Sequence, residues 1–208
     1  MTVTSLIKRR LKMKKFQRLP PEKRKEEICL AAIELFNEKG FSKTTMENIV
    51  ERVSLSKGGV YRLYPSTTAI LKDLMINGMH LRNAFYEQCV CERIKENKKL
   101  DIDFLVSMVA DSLLMYPQIS SVYVEFLLEK RRNAQLQSLF DEITKTTVEE
   151  TEALIKKYGA DDILLCNQDM LARLSQLMNS AVLSMHILDL KDKADICKAI
   201  TYILKNKG

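Results

Sequence analysis

The chain has 208 residues, 46% of them hydrophobic, which is enough to bury a substantial core in one domain or in a small domain plus a larger one. Only six glycines and four prolines are present, and blocks rich in Val, Thr and aromatics are scarce, so the composition leans towards helix and an all-α fold is expected. The net charge of +6 is uneven: residues 1–25 hold ten Lys/Arg and one Glu, leaving 23 basic and 26 acidic residues for the rest. That asymmetry suggests a polyanion for the N-terminal end, nucleic acid or an anionic membrane surface, with a solvated tail as the plain alternative.

Residues 1–20 read as a basic flexible arm, because the run Ile7 to Lys15 is rich in like charges and offers little apolar surface to bury. Pro20-Pro21 ends it, and Pro21 suits the first turn of a helix, where its missing N–H costs nothing. Ile28, Ala31, Ala32, Leu35 and Phe36 follow at helical spacing up to Gly40, giving a helix over 21–39. Thr44-Thr45-Met46-Glu47 reads as a capping box between Thr44 and Glu47 that opens a second short helix with Met46, Ile49, Val50 and Val53 inward. Ser54-Leu55-Ser56 then offers a tight turn and a new cap, and a third helix is expected from Ser56 to Tyr64. Pro65-Ser66 resets the chain for a long fourth helix past Phe85, which breaks between Asn97 and Leu100. Further helices are expected over 101–115, 118–130, 134–158, 167–188 and 191–205, about nine in all, with Pro117, Gly159 and Asp189 near the joints.

Two short helices joined by about three residues, the second capped by serine, have the spacing of a helix-turn-helix. Spacing alone is only moderately specific. The residues add much more. Gly40-Phe41-Ser42-Lys43-Thr44-Thr45, then Ile49-Val50, then Ser56-Lys57-Gly58-Gly59-Val60-Tyr61-Arg62-Leu63-Tyr64 and Pro65-Ser66-Thr67-Thr68-Ala69-Ile70-Leu71 resemble the signature of the TetR family of bacterial transcriptional regulators, in order and spacing. The detailed resemblance covers about residues 24 to 75. It implies a helix-turn-helix domain over 21–70 and a helical ligand-binding and dimerisation domain over 71–208. The function it implies is that of a repressor that grips a palindromic double-stranded DNA operator as a homodimer and is released by a small-molecule effector.

Thr44, Thr45, Ser56, Lys57, Gly58, Gly59, Tyr61, Arg62 and Tyr64 are the candidate DNA-binding residues. Glycines there let the backbone approach the groove, while phosphate contacts set register and base contacts set sequence. The sequence departs from the family pattern at Ser54 (usually Gly), Gly59 (Thr or Ala), Leu63 (His or Tyr) and Thr67 (Lys). Two of these positions commonly contact phosphate, and Lys and Arg of residues 8–18 are a plausible replacement.

Apolar residues on more than one face of the helix over 167–188, and the stripe on the last helix, nominate Met178, Val182, Met185, Ile196, Ile200 and Ile203 for the dimer interface that the resemblance implies, with completion of the monomer core as the alternative. Met108, Ser112, Tyr116, Tyr123, Glu125 and Phe126 mix apolar bulk with a few polar atoms, the make-up of a ligand pocket and equally of an ordinary core. Glu125, flanked by Val and aromatic residues, needs a partner: a cationic ligand, a neighbouring Lys or Arg, or solvent.

An enzyme is not expected. His80 and His186 are the only histidines, and no zinc-protease, nucleophile-elbow or phosphate-loop pattern is present. No cofactor or metal is expected either, since Cys89-x-Cys91 lacks zinc spacing and its side chains diverge on a helix. Cys29, Cys89, Cys91, Cys166 and Cys197 are odd in number and follow no secretory signal, so they read as free thiols of a cytoplasmic protein. No apolar run is long enough to span a bilayer, and the arm is too poor in apolar residues to insert into one.

Overall fold

The computed structural model describes residues 20–158, 168–189 and 192–205. The basic arm and Cys166 lie outside them. The described residues form nine helices and no strand: α1 (Pro21–Lys39), α2 (Met46–Arg52), α3 (Lys57–Leu63), α4 (Thr67–Lys95), α5 (Ile102–Met115), α6 (Pro117–Glu129), α7 (Ala134–Tyr158), α8 (Gln168–Ile187) and α9 (Lys193–Lys205).

The starts of α1 to α7 have local causes. Pro21 and Pro117 occupy the first turns of α1 and α6, where no N–H is missed. Ser56, Ser66 and Asp101 accept from the N–H of Gly59, Ala69 and Phe104 and so open α3, α4 and α5. Asn133 does the same for α7 through the N–H groups of Gln135 and Leu136. The box at α2 is one residue later than expected: Thr45 accepts from the Asn48 N–H at 3.3 Å, and the Asn48 side chain accepts from the Thr45 N–H at 3.1 Å. Thr44 is buried instead, its hydroxyl donating to the Gly40 carbonyl at 2.9 Å. Gly40 ends α1 at φ +83°, a conformation that costs glycine nothing.

Two apolar clusters hold the helices. The larger runs from Ile28, Phe36, Ile49 and Val60 through Ile70, Leu71 and Met75 to Phe126 and Leu136. It therefore crosses residue 70 without a break, and α4 passes through the same point as one continuous helix. The smaller joins α5 to α8 and α9 through Val106, Ala110, Leu113, Val182, Met185, Ile196 and Ile200. Val182, Met185, Ile196 and Ile200 are each at most 9% exposed in the single chain. The dimer-interface reading of these four is thus corrected: their apolar surface is already spent inside the monomer. Met178 lines the cavity described below, and the Ile203 side chain lies outside the description. Among the described side chains of α8, α9 and the turn between them, the large apolar ones left open are Ile187, Leu188 and Tyr202.

Candidate nucleic-acid interface and the cavity behind it

Helices α2 and α3 are set by buried Ile49 and Val60, with Val50, Val53 and Leu63 half-buried around them. Polar staples fix their angle to α1. Arg52 donates to both carboxylate oxygens of Glu38 at 2.7 and 2.8 Å, and Glu27 accepts from the N–H and hydroxyl of Ser54 in the turn. The outer face of this unit carries Thr45, Ser56, Lys57, Gly58 and Arg62, all exposed, with Gly59 and Tyr61 half-buried. A Cβ on Gly58 would meet nothing within 4 Å, so the bare backbone there faces open space. At Gly59 a Cβ would lie 3.2 Å from the Ser56 hydroxyl, so the missing side chain leaves room for the helix's own cap.

Two candidates do not belong to this face. Thr44 is 5% exposed and its hydroxyl is committed to main-chain carbonyls of α1 and the turn after it, so no phosphate reaches it. Tyr64 is 3% exposed; its hydroxyl donates to Asp73 at 2.8 Å and lies 3.4 Å from the Cys29 sulfur. Burial, and then these partners, push the Tyr64 hydroxyl pKa well above its usual value.

Glu47, which the sequence reading used only as a cap, has another task. Its carboxylate accepts from the Tyr61 hydroxyl at 2.9 Å and pairs with Lys57 at 3.3 Å, tying both α3 side chains to α2. Its own backbone N–H, then Tyr61 and Lys57, hold the Glu47 carboxyl below the usual range, and the bond to Glu47 raises the Tyr61 hydroxyl.

Behind this unit, α4, α5, α6, α7 and α8 line a cavity of about 100 Å³ whose apolar wall includes Met75, Met79, Leu113 and Ile143. Of the ligand candidates, Ser112, Tyr116 and Tyr123 line it. Ser112 donates to the Val109 carbonyl and therefore accepts from the Tyr86 hydroxyl at 3.0 Å. Tyr123 donates to Asn179 at 2.7 Å, and burial pushes its hydroxyl pKa up to about 12. Phe126 and Met108 are buried away from the lining, so both are packing residues and their ligand reading is corrected. Glu125 does not line this cavity either. Its carboxylate accepts from the Phe41 N–H at 3.1 Å, an acceptor for the main chain after α1, 84 positions away in sequence.

Glu125 is part of a row. On the same helix the Gln118 carbonyl accepts from Asn37 at 3.2 Å, and Glu129 accepts from the Ser42 hydroxyl. Helix α6 thus faces the cavity with Ile119, Ser120 and Tyr123 and holds α1 and the turn into α2 with Gln118, Glu125 and Glu129. Arg82 also lines the cavity and was missed in the sequence. Its signal was the helical spacing Leu74, Gly78, Arg82, Phe85, which puts it on the face that the cavity uses.

Among the described residues, no group of three or more His, Cys, Asp or Glu could hold a metal ion, and no single helix is long and apolar enough to cross a membrane. Cys29, Cys89, Cys91 and Cys197 are half-buried free thiols. A family model for bacterial regulatory proteins of the tetR family matches residues 28–74, from the middle of α1 into α4. The HTH-type transcriptional regulator YfiR of Bacillus subtilis (strain 168) is 26% identical over 183 residues, covering 84% of this chain and 85% of that protein. Salmonella enterica GusR has a similar fold, with a TM-score of 0.65 at 19% identity over 91% of this chain and all of that one. So does a transcriptional regulator from Saccharomonospora viridis solved in complex with choline, with a TM-score of 0.63 at 13% identity over 89% of this chain and 97% of that one. The capped α2–turn–α3 unit thus matches the tetR family of bacterial regulatory proteins over residues 28–74, and the helical remainder of the described residues shares its fold with transcriptional regulators.

Proposed function

We propose that the protein represses transcription by binding a palindromic operator as a homodimer, with α3 in the major groove, and that a small molecule in the cavity releases it. The observation that carries this is α6, one helix that both walls the cavity and holds the turn leading into the DNA-binding helices. A body that pushes on Ile119 or Tyr123 shifts the helix on which Glu125 and Glu129 sit. Interfaces of this packed kind move between discrete arrangements, so a small shift is passed on to α2 and α3. The S. viridis neighbour supports a small-molecule site on this fold, since that protein was solved with choline.

Thr45, Ser56, Lys57, Gly58, Gly59, Tyr61 and Arg62 supply the DNA contacts in this reading. The outward side of α8 and α9, where Ile187 is 75% and Tyr202 70% exposed, pairs with its copy across a twofold axis. The basic arm adds phosphate contacts beside the operator. Gel shifts with DNA flanking the protein's own gene, together with sedimentation of the free protein, test the reading. A dimer that binds one such fragment at nanomolar concentration is expected, and Leu188→Glu with Tyr202→Glu should give a folded monomer that binds it weakly. A wild-type monomer at micromolar concentration, or no preference for any fragment over random DNA, would overturn it.

A further inference from the structure

The cavity is unlike a neutral apolar pocket in one respect. Among the described residues, Arg82 is the only charged one on its wall, and no described carboxylate lines it. The Arg82 guanidinium donates to the Thr147 hydroxyl at 3.1 Å and to the Asn83 side chain at 3.4 and 3.5 Å, all neutral acceptors. The nearest acid in this chain of contacts, Glu150, accepts from the Asn83 amide and makes no ion pair with Arg82. Among the described residues, then, a half-buried guanidinium faces an apolar cavity with its charge unneutralised. A cation in such surroundings keeps a strong preference for an anion, and the planar fork of arginine matches a carboxylate in two hydrogen bonds.

The rest of the wall fits that partner. Hydroxyls of Tyr123 and Ser112 stand among Met75, Met79, Leu113 and Ile143, and Leu81 and Met115 at the rim are 49% and 40% exposed. If a water occupies roughly 10–15 Å³ on this scale, the cavity has room for about seven to ten small atoms or waters. We infer that the effector is a monoanionic amphiphile of about that size, its carboxylate held by Arg82 and its apolar tail laid against the methionine and leucine wall. This rests on the effector reading above and names the chemistry of that same site. It also sets this cavity against a quaternary ammonium: a cation here would meet Arg82 and find no acid among the described residues of the wall.

The test uses full-length dimeric or monomeric protein as purified and three probes with one tail: octanoate, 1-octanol and octyltrimethylammonium. Calorimetric binding to the wild type, Arg82→Met, Arg82→Lys and Thr147→Val separates a ligand-binding role from the α4–α7 tie that Arg82 makes with Thr147. Octanoate is expected to bind the wild type at least tenfold more tightly than either other probe, in line with the usual strength of charged hydrogen bonds. That preference should vanish in Arg82→Met, survive in part in Arg82→Lys, and stay within about threefold of wild type in Thr147→Val. Octanol or the ammonium binding as well as octanoate, a preference that outlives Arg82→Met, or no binding of octanoate would each overturn the proposal. Operator release is read separately: octanoate that binds through Arg82 yet leaves the DNA complex intact keeps the anion site and sinks the effector reading.

Discussion

Thr44 and Tyr64 show how two residues inside a recognition motif serve the fold instead. Both side chains are spent on partners within the chain, Thr44 on the Gly40 and Leu35 carbonyls and Tyr64 on Asp73. Thr44→Val should therefore cost about 1–2 kcal/mol, the usual loss when a buried hydrogen bond is removed, and leave operator affinity of the folded protein within about twofold. Urea unfolding with gel shifts on the same samples measures both. Glu47 is the opposite case, an exposed acid that restrains Lys57 and Tyr61, two of the proposed DNA contacts. If this face meets DNA as proposed, Glu47→Gln removes a negative charge from it and frees Lys57, so affinity for random duplex should rise several-fold, and its salt dependence should steepen by about one unit for each phosphate that Lys57 then reaches. A fall in random-duplex affinity would mean that the clamp presents these side chains rather than withholding them.

At the scale of elements, helix α6 is the part whose role depends on two distant segments. Glu125→Ala leaves the Phe41 N–H without its acceptor, which should destabilise the protein by about 1–2 kcal/mol, and it loosens the tie between cavity wall and turn. A ligand bound to this variant is expected to change operator affinity several-fold less than in the wild type, at unchanged ligand affinity. Equal ligand response in the two proteins would remove α6 from the coupling. Helix limits were legible in the sequence because caps and breakers stand where helices end: Pro21, Ser56, Ser66, Asp101 and Pro117 each mark a start. The box at α2 slipped by one residue because Thr44-Thr45 offers two overlapping registers, and only the burial of Thr44 against α1 chooses between them. The partner of Glu125 was not legible, since a main-chain N–H carries no side-chain signature. Nor does apolar spacing say whether a stripe meets its own chain or a copy, which is why Val182 and Ile196 were assigned outward and lie inward.

For the whole molecule, buried tyrosines set the alkaline limit. Tyr64, Tyr86 and Tyr123 all have hydroxyls raised above their ordinary value, first by burial. In the unfolded chain they lose protons near pH 10, while the folded chain holds them to higher pH, about 12 for Tyr123. Their stabilising effect is thus complete below pH 10 and is lost as pH rises above it, by up to about 1.4 kcal/mol per pH unit for each such tyrosine. Urea midpoints should be level with respect to these groups up to pH 9.5 and fall steeply from pH 10, less so in Tyr86→Phe.

The account stands or falls on α3 as the element that reads DNA, and Tyr61 is its most direct probe, half-buried with its ring against the edge of the core and its hydroxyl held by Glu47. The decisive measurement is the affinity of wild type and Tyr61→Ala for the operator fragment and for random duplex at one fixed salt concentration, with circular dichroism and sedimentation on both proteins. The prediction is a folded variant, unchanged in assembly, whose preference for operator over random DNA falls at least tenfold, as expected when a groove contact worth about 1–3 kcal/mol is removed. An unchanged preference in the folded variant would contradict it.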